Sequence, residues 1–400
     1  MNVIDYKLLE ECAPGAQNML TQCLGAQTGE RILALYTPRN NYKETLDYEL
    51  QAGERLFWLR QDTCFPEGEL DEEMDIVYRD RETVLYSLQK VAEEIGCSFT
   101  LFPIELTRGL SGQHSLAKDS ISRLRVLSRE CDILLDYTLI GIDNYNTRTG
   151  IGGRTFLKDE IIHARNRGAD IHSMDIESLA MGAMYEDYLR MAERVKEKAE
   201  MLRQAESIHI TASGTDIELP IQKGTELVEG IGIIRRGEWH FLPNGILSIC
   251  VNHRRVQGHI KLAGPMWGVS GLDLEAVTLK ANSHNGILEP IGLFRNRQLK
   301  ELIATKEGKY IGEVTLGFNT KGLRGSESPY EFYVASGNVT VALGVNRHLG
   351  GSNPEKPGMG LTPNIHSHAL VDKASVWVHA DQRDIGVLRD GGWLINHEVE

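Results

Sequence analysis

No two cysteines of this chain stand in a C-x-x-C pair; the six, Cys12, Cys23, Cys64, Cys97, Cys131 and Cys250, are scattered over 400 residues. That spacing argues against a zinc ribbon, a thioredoxin-like dithiol or a dense disulfide framework, and the thiols read as reduced core residues. No apolar stretch approaches the roughly 18 residues of a membrane span. The start, MNVIDYKLLEECAPG, is acidic and lacks the basic opening and apolar run of a signal peptide, so the expected location is cytoplasmic. Basic charge is also scarce: 43 Lys and Arg against 56 Asp and Glu give a formal net charge of -13. Without a basic stripe to neutralise phosphates, neither nucleic acid nor an anionic membrane is an expected partner, which leaves a small-molecule or peptide substrate. The glycine cluster TRTGIGGRT lacks the lysine and serine or threonine of a phosphate loop, and no G-x-G-x-x-G occurs, so it reads as a loop and not as a nucleotide cradle. Repeats of solenoid period and low-complexity tracts are absent too.

What is there is an ordinary globular composition, 41% hydrophobic and 25% charged, in a chain long enough for two cores. The first half alternates helices with short apolar strands. The segment from Gln17 leads through Gly29 into RILALY; RETVLYSLQKVAEEIGCSFTLFPI reads as an amphipathic helix ending at Gly96 and then a strand. SRLRVLSRECDILLDYTLI and DEIIHARNRGADIHSMD repeat the pattern, the latter with Gly168 as the helix cap. Such alternation predicts a parallel sheet covered on both faces. The stretch from Ser178 to Glu206 reads as one long amphipathic helix, after which the texture changes to short alternating segments parted by Gly, Asn and Pro turns. The expected fold class is therefore α/β: an N-terminal parallel-sheet, Rossmann-like α/β domain over residues 1–205, then a β-rich α+β metal-binding domain over residues 206–400.

The metal expectation begins with NIHSHALV. On a strand, residues i and i+2 face the same way, so His366 and His368 would project side by side, a geometry suited to a metal, although such a pair also occurs facing solvent. Carboxylates on nearby strands are the natural complement. Glu313 opens the apolar strand of YIGEVTLGFN and Glu275 interrupts GLDLEAVTL; each, if buried, needs a cation or a hydrogen-bond partner, and each could instead sit at an edge facing water.

The ordered set GTDIEL, GEWHFLPNGILSI, LEAVTL, YIGEVTLGFN and GNVTVALGVNRHLGGSNPEKPGMGLTPNIHSHALVD resembles the C-terminal half of two related families, the aminopeptidase T metallopeptidases and the 2,5-dihydroxypyridine 5,6-dioxygenases on the same fold. The resemblance implies that Glu275 and Glu313 match metal-binding glutamates of the peptidases and His366 the histidine of their H-x-D pair. Thr340 stands where the peptidases carry a further histidine, His368 where both families carry aspartate, and Glu313 where the dioxygenases carry histidine. The cluster is shuffled, and a two-metal peptidase site has lost ligands.

What remains is Glu313, His366 and His368, two imidazoles and a carboxylate. This is the donor set of the facial triad that holds Fe(II) with open positions, and equally of His2Glu sites for Zn(II). Fe(II) is the preferred ion, with Zn(II), Mn(II) or Co(II) as alternatives. The GEWHFLPNGILSI segment and the Gly-rich approach to NIHSHALV are more similar to the dioxygenase branch. The favoured expectation is thus a non-haem iron dioxygenase-like enzyme acting on a small polar or N-heterocyclic substrate, in which Glu275 serves as orienter or base. The alternatives are a metallohydrolase or aminopeptidase using a metal-activated water, and a non-catalytic descendant acting as a binding protein. Arg347 and His348, on the loop before the histidine pair, are candidate substrate contacts or solvated loop residues. Tyr330 and Tyr333 are candidate pocket residues, Trp239 and His240 weaker ones, and Asp216 reads as a turn residue. The resemblance further implies a two-fold homodimer.

Overall fold

The computed structural model describes residues 6–38, 70–104, 106–108, 114–116, 118–138, 160–171, 174–267, 269, 276–324, 326, 328–352 and 366–394. Glu275, Cys64 and the cluster TRTGIGGRT lie outside these residues. The chain folds as two compact units, residues 1–189 with 232–244, and residues 190–231 with 245–400.

The first unit is built on a five-stranded parallel sheet in the order Trp239–Phe241, Arg167–Asp170, Ile133–Tyr137, Arg31–Tyr36, Ser98–Pro103. Helices Tyr6–Asn18, Leu70–Ile95 and Lys118–Glu130 alternate with the strands, as the sequence pattern predicts. Every residue of Ile133–Tyr137 is buried, which is why that strand does not alternate; its one polar member, Asp136, accepts from the Thr138 hydroxyl at 2.7 Å. Leu33, Leu35, Phe102, Leu124 and Ile161 form one core cluster, with Trp239 packed against it.

Two local expectations fail, each for a visible reason. Gly168 is no helix cap; it lies within the strand Arg167–Asp170, opposite Trp239, where an added Cβ would stand 2.1 Å from the indole. The preceding helical turn closes instead at Arg165, whose φ is 56°. The single long helix expected from Ser178 to Glu206 is broken into Ile176–Ala180, a 3-10 turn at Ala183–Tyr185, and Tyr188–Leu202. Gly182 is a poor helix former, and the Asn18 side-chain amide donates to the carbonyls of Met184 and Glu186, 2.7 Å from each, which takes them out of helical pairing.

The second unit carries two antiparallel sheets. The larger has eight strands, ordered Leu288–Pro290, Val277–Ala281, Gln257–Leu262, Thr215–Pro220, Ser207–Ala212, Ser375–Ala380, Arg383–Arg389, Gly392–Trp393. Asp216 belongs to one of these strands, its carboxylate 2.8 Å from His209 Nε2; the turn is taken earlier, at Ser213 and Gly214. The smaller sheet has five strands, ordered His366–Val371, Val339–Gly344, Ile311–Gly317, Ile246–Cys250, Leu227–Gly230. Its three inner strands are buried at every residue. Cys12, Cys23, Cys97, Cys131 and Cys250 are free and buried. Among the described residues no helix is long and apolar enough to cross a membrane.

The contact between Gly168 and Trp239 generates a test. Gly168→Ala should lower stability by about 1–3 kcal/mol through overpacking, and Trp239→Leu in the same chain should recover part of the loss. Denaturant unfolding checks it: losses that simply add in the double variant would contradict the contact.

Candidate metal centre

Strand alternation sorts the smaller sheet into two unlike faces. Glu313 and Thr315 stand two residues apart and so share a face, and the register carries that face sideways. Cys250 and Ala342 pair with Glu313; Ser248 and Thr340 pair with Thr315; His368 and His366 pair with Ala342 and Gly344. The opposite face presents Leu247, Ile249, Val314, Leu316, Val341 and Leu343, all buried. The strand E-V-T-L thus puts both its polar groups on one side of an otherwise apolar layer, and H-S-H puts both histidines there, with Ser367 on the other side. Ala342 and Gly344, the smallest residues in their row, leave room for the two imidazoles opposite them.

On that face Glu313, His366 and His368 each offer one ligand atom, and the three atoms lie within 4.8 Å of one another. The two Nε2 atoms are 2.8 Å apart, and His366 Nε2 is 3.4 Å from Glu313 Oε2. Ligands held about 2.1 Å from one transition-metal ion at adjacent octahedral or tetrahedral positions stand about 3.0–3.4 Å from each other, so these spacings suit donors sharing one ion. The tautomer of His366 is set by its other nitrogen: Nδ1 donates to the Val345 carbonyl at 2.8 Å, which turns the Nε2 lone pair inward. His368 Nδ1 faces the Thr340 hydroxyl at 3.3 Å. Thr340 thus touches the cluster through the ring nitrogen of His368 that faces away from the other two ligand atoms.

Charge follows from burial and contacts. Glu313 is 1% exposed, and burial alone would push its carboxyl up; the hydrogen bond from His348 Nε2 to Oε2, 2.9 Å, and the imidazoles of His366 and His368 reverse that and hold it below the usual carboxylate range. Burial, and after it the neighbouring His366, pushes His368 well below its usual value, so this ring is neutral. With His368 neutral its own pull on the carboxylate falls away, and the bond from His348 is the principal support. The ring of His368 is flanked edge-on by Trp267 and Tyr333, with centroids 4.6 Å and 4.5 Å away. Trp267 is fixed in turn: its amide donates to the His368 carbonyl at 2.9 Å, and its carbonyl accepts from the Ser367 hydroxyl.

His348 reaches the cluster from the 3-10 turn Arg347–Leu349, closed by Gly350 at φ +79°, a left-handed conformation that glycine adopts without cost. Its side chain is 43% exposed, against 2% for Glu313, so it is the cluster's wet end. Arg347, read beside it as a substrate contact, is exposed on the same turn. Tyr333 is at the cluster and Tyr330 one ring further out, 5.7 Å from Trp267. Trp239 and His240 belong to the parallel sheet of the first unit. Trp267, Ser248 and Thr315 were not singled out from the sequence. For Thr315 a signal existed, a polar residue two places from Glu313 inside an apolar strand; for Trp267 nothing in its surroundings gave one.

No family model matches the sequence, and no curated protein matches it. Solved structures do share the fold: the 2,5-dihydroxypyridine dioxygenase from Pseudomonas putida KT2440, at a TM-score of 0.63 and 12% identity over 99% of each chain; and wild-type AmpT from Thermus thermophilus, at 0.53 and 15% identity over 96% of this chain and 99% of that one.

A buried neutral imidazole has a consequence for acid stability. In the unfolded chain His368 takes up a proton below about pH 6.5, whereas the folded, depressed group does not, so stability is lost as pH falls from about 6.5 toward the folded value. For chelator-treated protein the contribution of His368 to the slope there approaches about 1.4 kcal/mol per pH unit. His368→Gln should flatten it, as followed by thermal unfolding between pH 7.5 and 5; an equal slope in the variant would contradict the assignment.

Proposed function

We propose that this protein is a mononuclear metal-dependent enzyme in which Glu313, His366 and His368 hold one divalent ion, Fe(II) by preference, and that it oxidises a small polar or N-heterocyclic ring with O2. The observation that carries this reading is the convergence of two imidazole nitrogens and one carboxylate oxygen within 4.8 Å on a buried sheet face. The donor set is that of facial-triad iron sites, and the fold is shared with a dihydroxypyridine dioxygenase. Bound there, the ion would supply Lewis acidity and the one-electron chemistry that O2 requires. The protein's own residues do the rest. The backbone carbonyl of Val345 and the hydroxyl of Thr340 orient the imidazoles, Trp267 and Tyr333 keep water from His368, and His348 holds a proton at Nε2 against the carboxylate. Exposed and adjacent, His348 is the group placed to pass a proton to or from a substrate; Arg347 on the same turn is a candidate contact for an anionic one, and Glu275 remains a candidate base.

A second reading, a metallohydrolase in which Zn(II), Mn(II) or Co(II) activates water against an amide, draws on the same donor set and on the fold shared with AmpT. A homodimer and a cytoplasmic location belong to the proposal through resemblance and composition.

Anaerobic purification followed by elemental analysis should find about one ion per chain, and an oxygen electrode should record uptake with 2,5-dihydroxypyridine or a related hydroxylated heterocycle. Glu313→Ala and His366→Ala should lose the ion and at least a hundredfold of the activity. Peptide hydrolysis without O2 would move the assignment to the second reading, and a wild-type protein that binds no ion would end both.

A further inference from the structure

Behind Glu313 the sheet face carries a row of hydroxyl groups. Thr315 Oγ1 is 2.9 Å from Glu313 Oε1, Ser248 Oγ is 2.8 Å from Thr315 Oγ1, and the Tyr333 phenol is 3.4 Å from Ser248 Oγ. Ser248, Thr315 and Glu313 are at most 2% exposed and Tyr333 is 5% exposed. Counting protons gives the row a direction. An ionised carboxylate only accepts, so the Thr315 hydroxyl must donate to it. Its one proton spent, Thr315 accepts from Ser248, and Ser248 in turn accepts from the phenol. Tyr333 remains protonated, because burial and, after it, the nearby Glu313 charge push its ionisation up, while its bonds to Ser248 and Thr315 pull the other way without prevailing. All donors thus point toward Oε1, while Oε2 faces His348 and His366.

We propose that Thr315, Ser248 and Tyr333 are positioning residues that hold Oε1 of Glu313 away from the imidazoles and so turn Oε2, with the lone pair that His348 leaves open, toward the metal. The inference rests on the metal-site reading and deepens it. A carboxylate gripped on one oxygen binds a cation through the other, which keeps coordination positions free for substrate; released, it can swing or chelate through both oxygens. The chain comes from three separate elements, the strands Ile246–Cys250 and Ile311–Gly317 and the helix Pro329–Val334, so its geometry is fixed by tertiary packing and not by one local turn.

The test is titration of chelator-treated protein with Co(II), followed by visible absorption and calorimetry. Thr315→Val should weaken binding roughly 10–100-fold and alter the Co(II) d–d bands, and Thr315→Ser, which restores the hydroxyl, should return both toward wild type. Ser248→Ala, which deletes both the proton given to Thr315 and the acceptor of the Tyr333 phenol, should weaken binding at least threefold, and it carries the test alone if Thr315→Val fails to fold. Unchanged affinity and spectrum in these variants, while Glu313→Ala abolishes binding, would overturn the positioning role and leave the metal site standing. A wild-type protein that takes up no Co(II) would overturn both.

Discussion

The polar face of the smaller sheet depends on one charge out of water. Glu313 is ionised at a position where burial opposes ionisation, so everything around it is arranged to make that charge tolerable. Thr315 grips one oxygen and His348 the other, and two imidazoles stand within reach of a cation that would complete the neutralisation. Remove that requirement and the polar row on the sheet loses its reason, since Ser248, Thr315 and Thr340 would then be buried hydroxyls in strands that otherwise pack as apolar core.

The sheet supplies this arrangement with little help from loops. Alternation along the strands decides which residues face the site, and register decides which neighbours they meet. The small residues Ala342 and Gly344 sit where the facing imidazoles need volume. Tyr333, Trp267 and His348 come from outside the strands, and His348 brings the exposed end of the cluster with it.

How much of this can be read from the sequence differs by level. The parallel sheet and its helices were legible, because continuous apolar strands between amphipathic helices have few other solutions. The meeting of Glu313 with His366 and His368 was legible only through resemblance, since no local spacing says that two strands far apart in sequence are neighbours but one in a sheet. Errors arose where tertiary contacts outvoted local propensity: Gly168 serves an indole from a distant strand, and Asn18 breaks a helix about 165 positions further along by claiming its carbonyls. The hydroxyl row was illegible for the same reason, its direction being a property of four side chains on three elements.

The tether on His366 differs in kind from those on its companions. Glu313 and His368 are steered by side chains, at Thr315, His348 and Thr340, whereas His366 is steered by the main-chain oxygen of Val345. Every amino acid carries that oxygen. Drift at position 345 can therefore proceed without disturbing the imidazole, while each hydroxyl or imidazole partner of the other two groups must be kept or exchanged for an equivalent. Over evolutionary time such a scaffold would hold one ligand steady and let the other two trade identities around it.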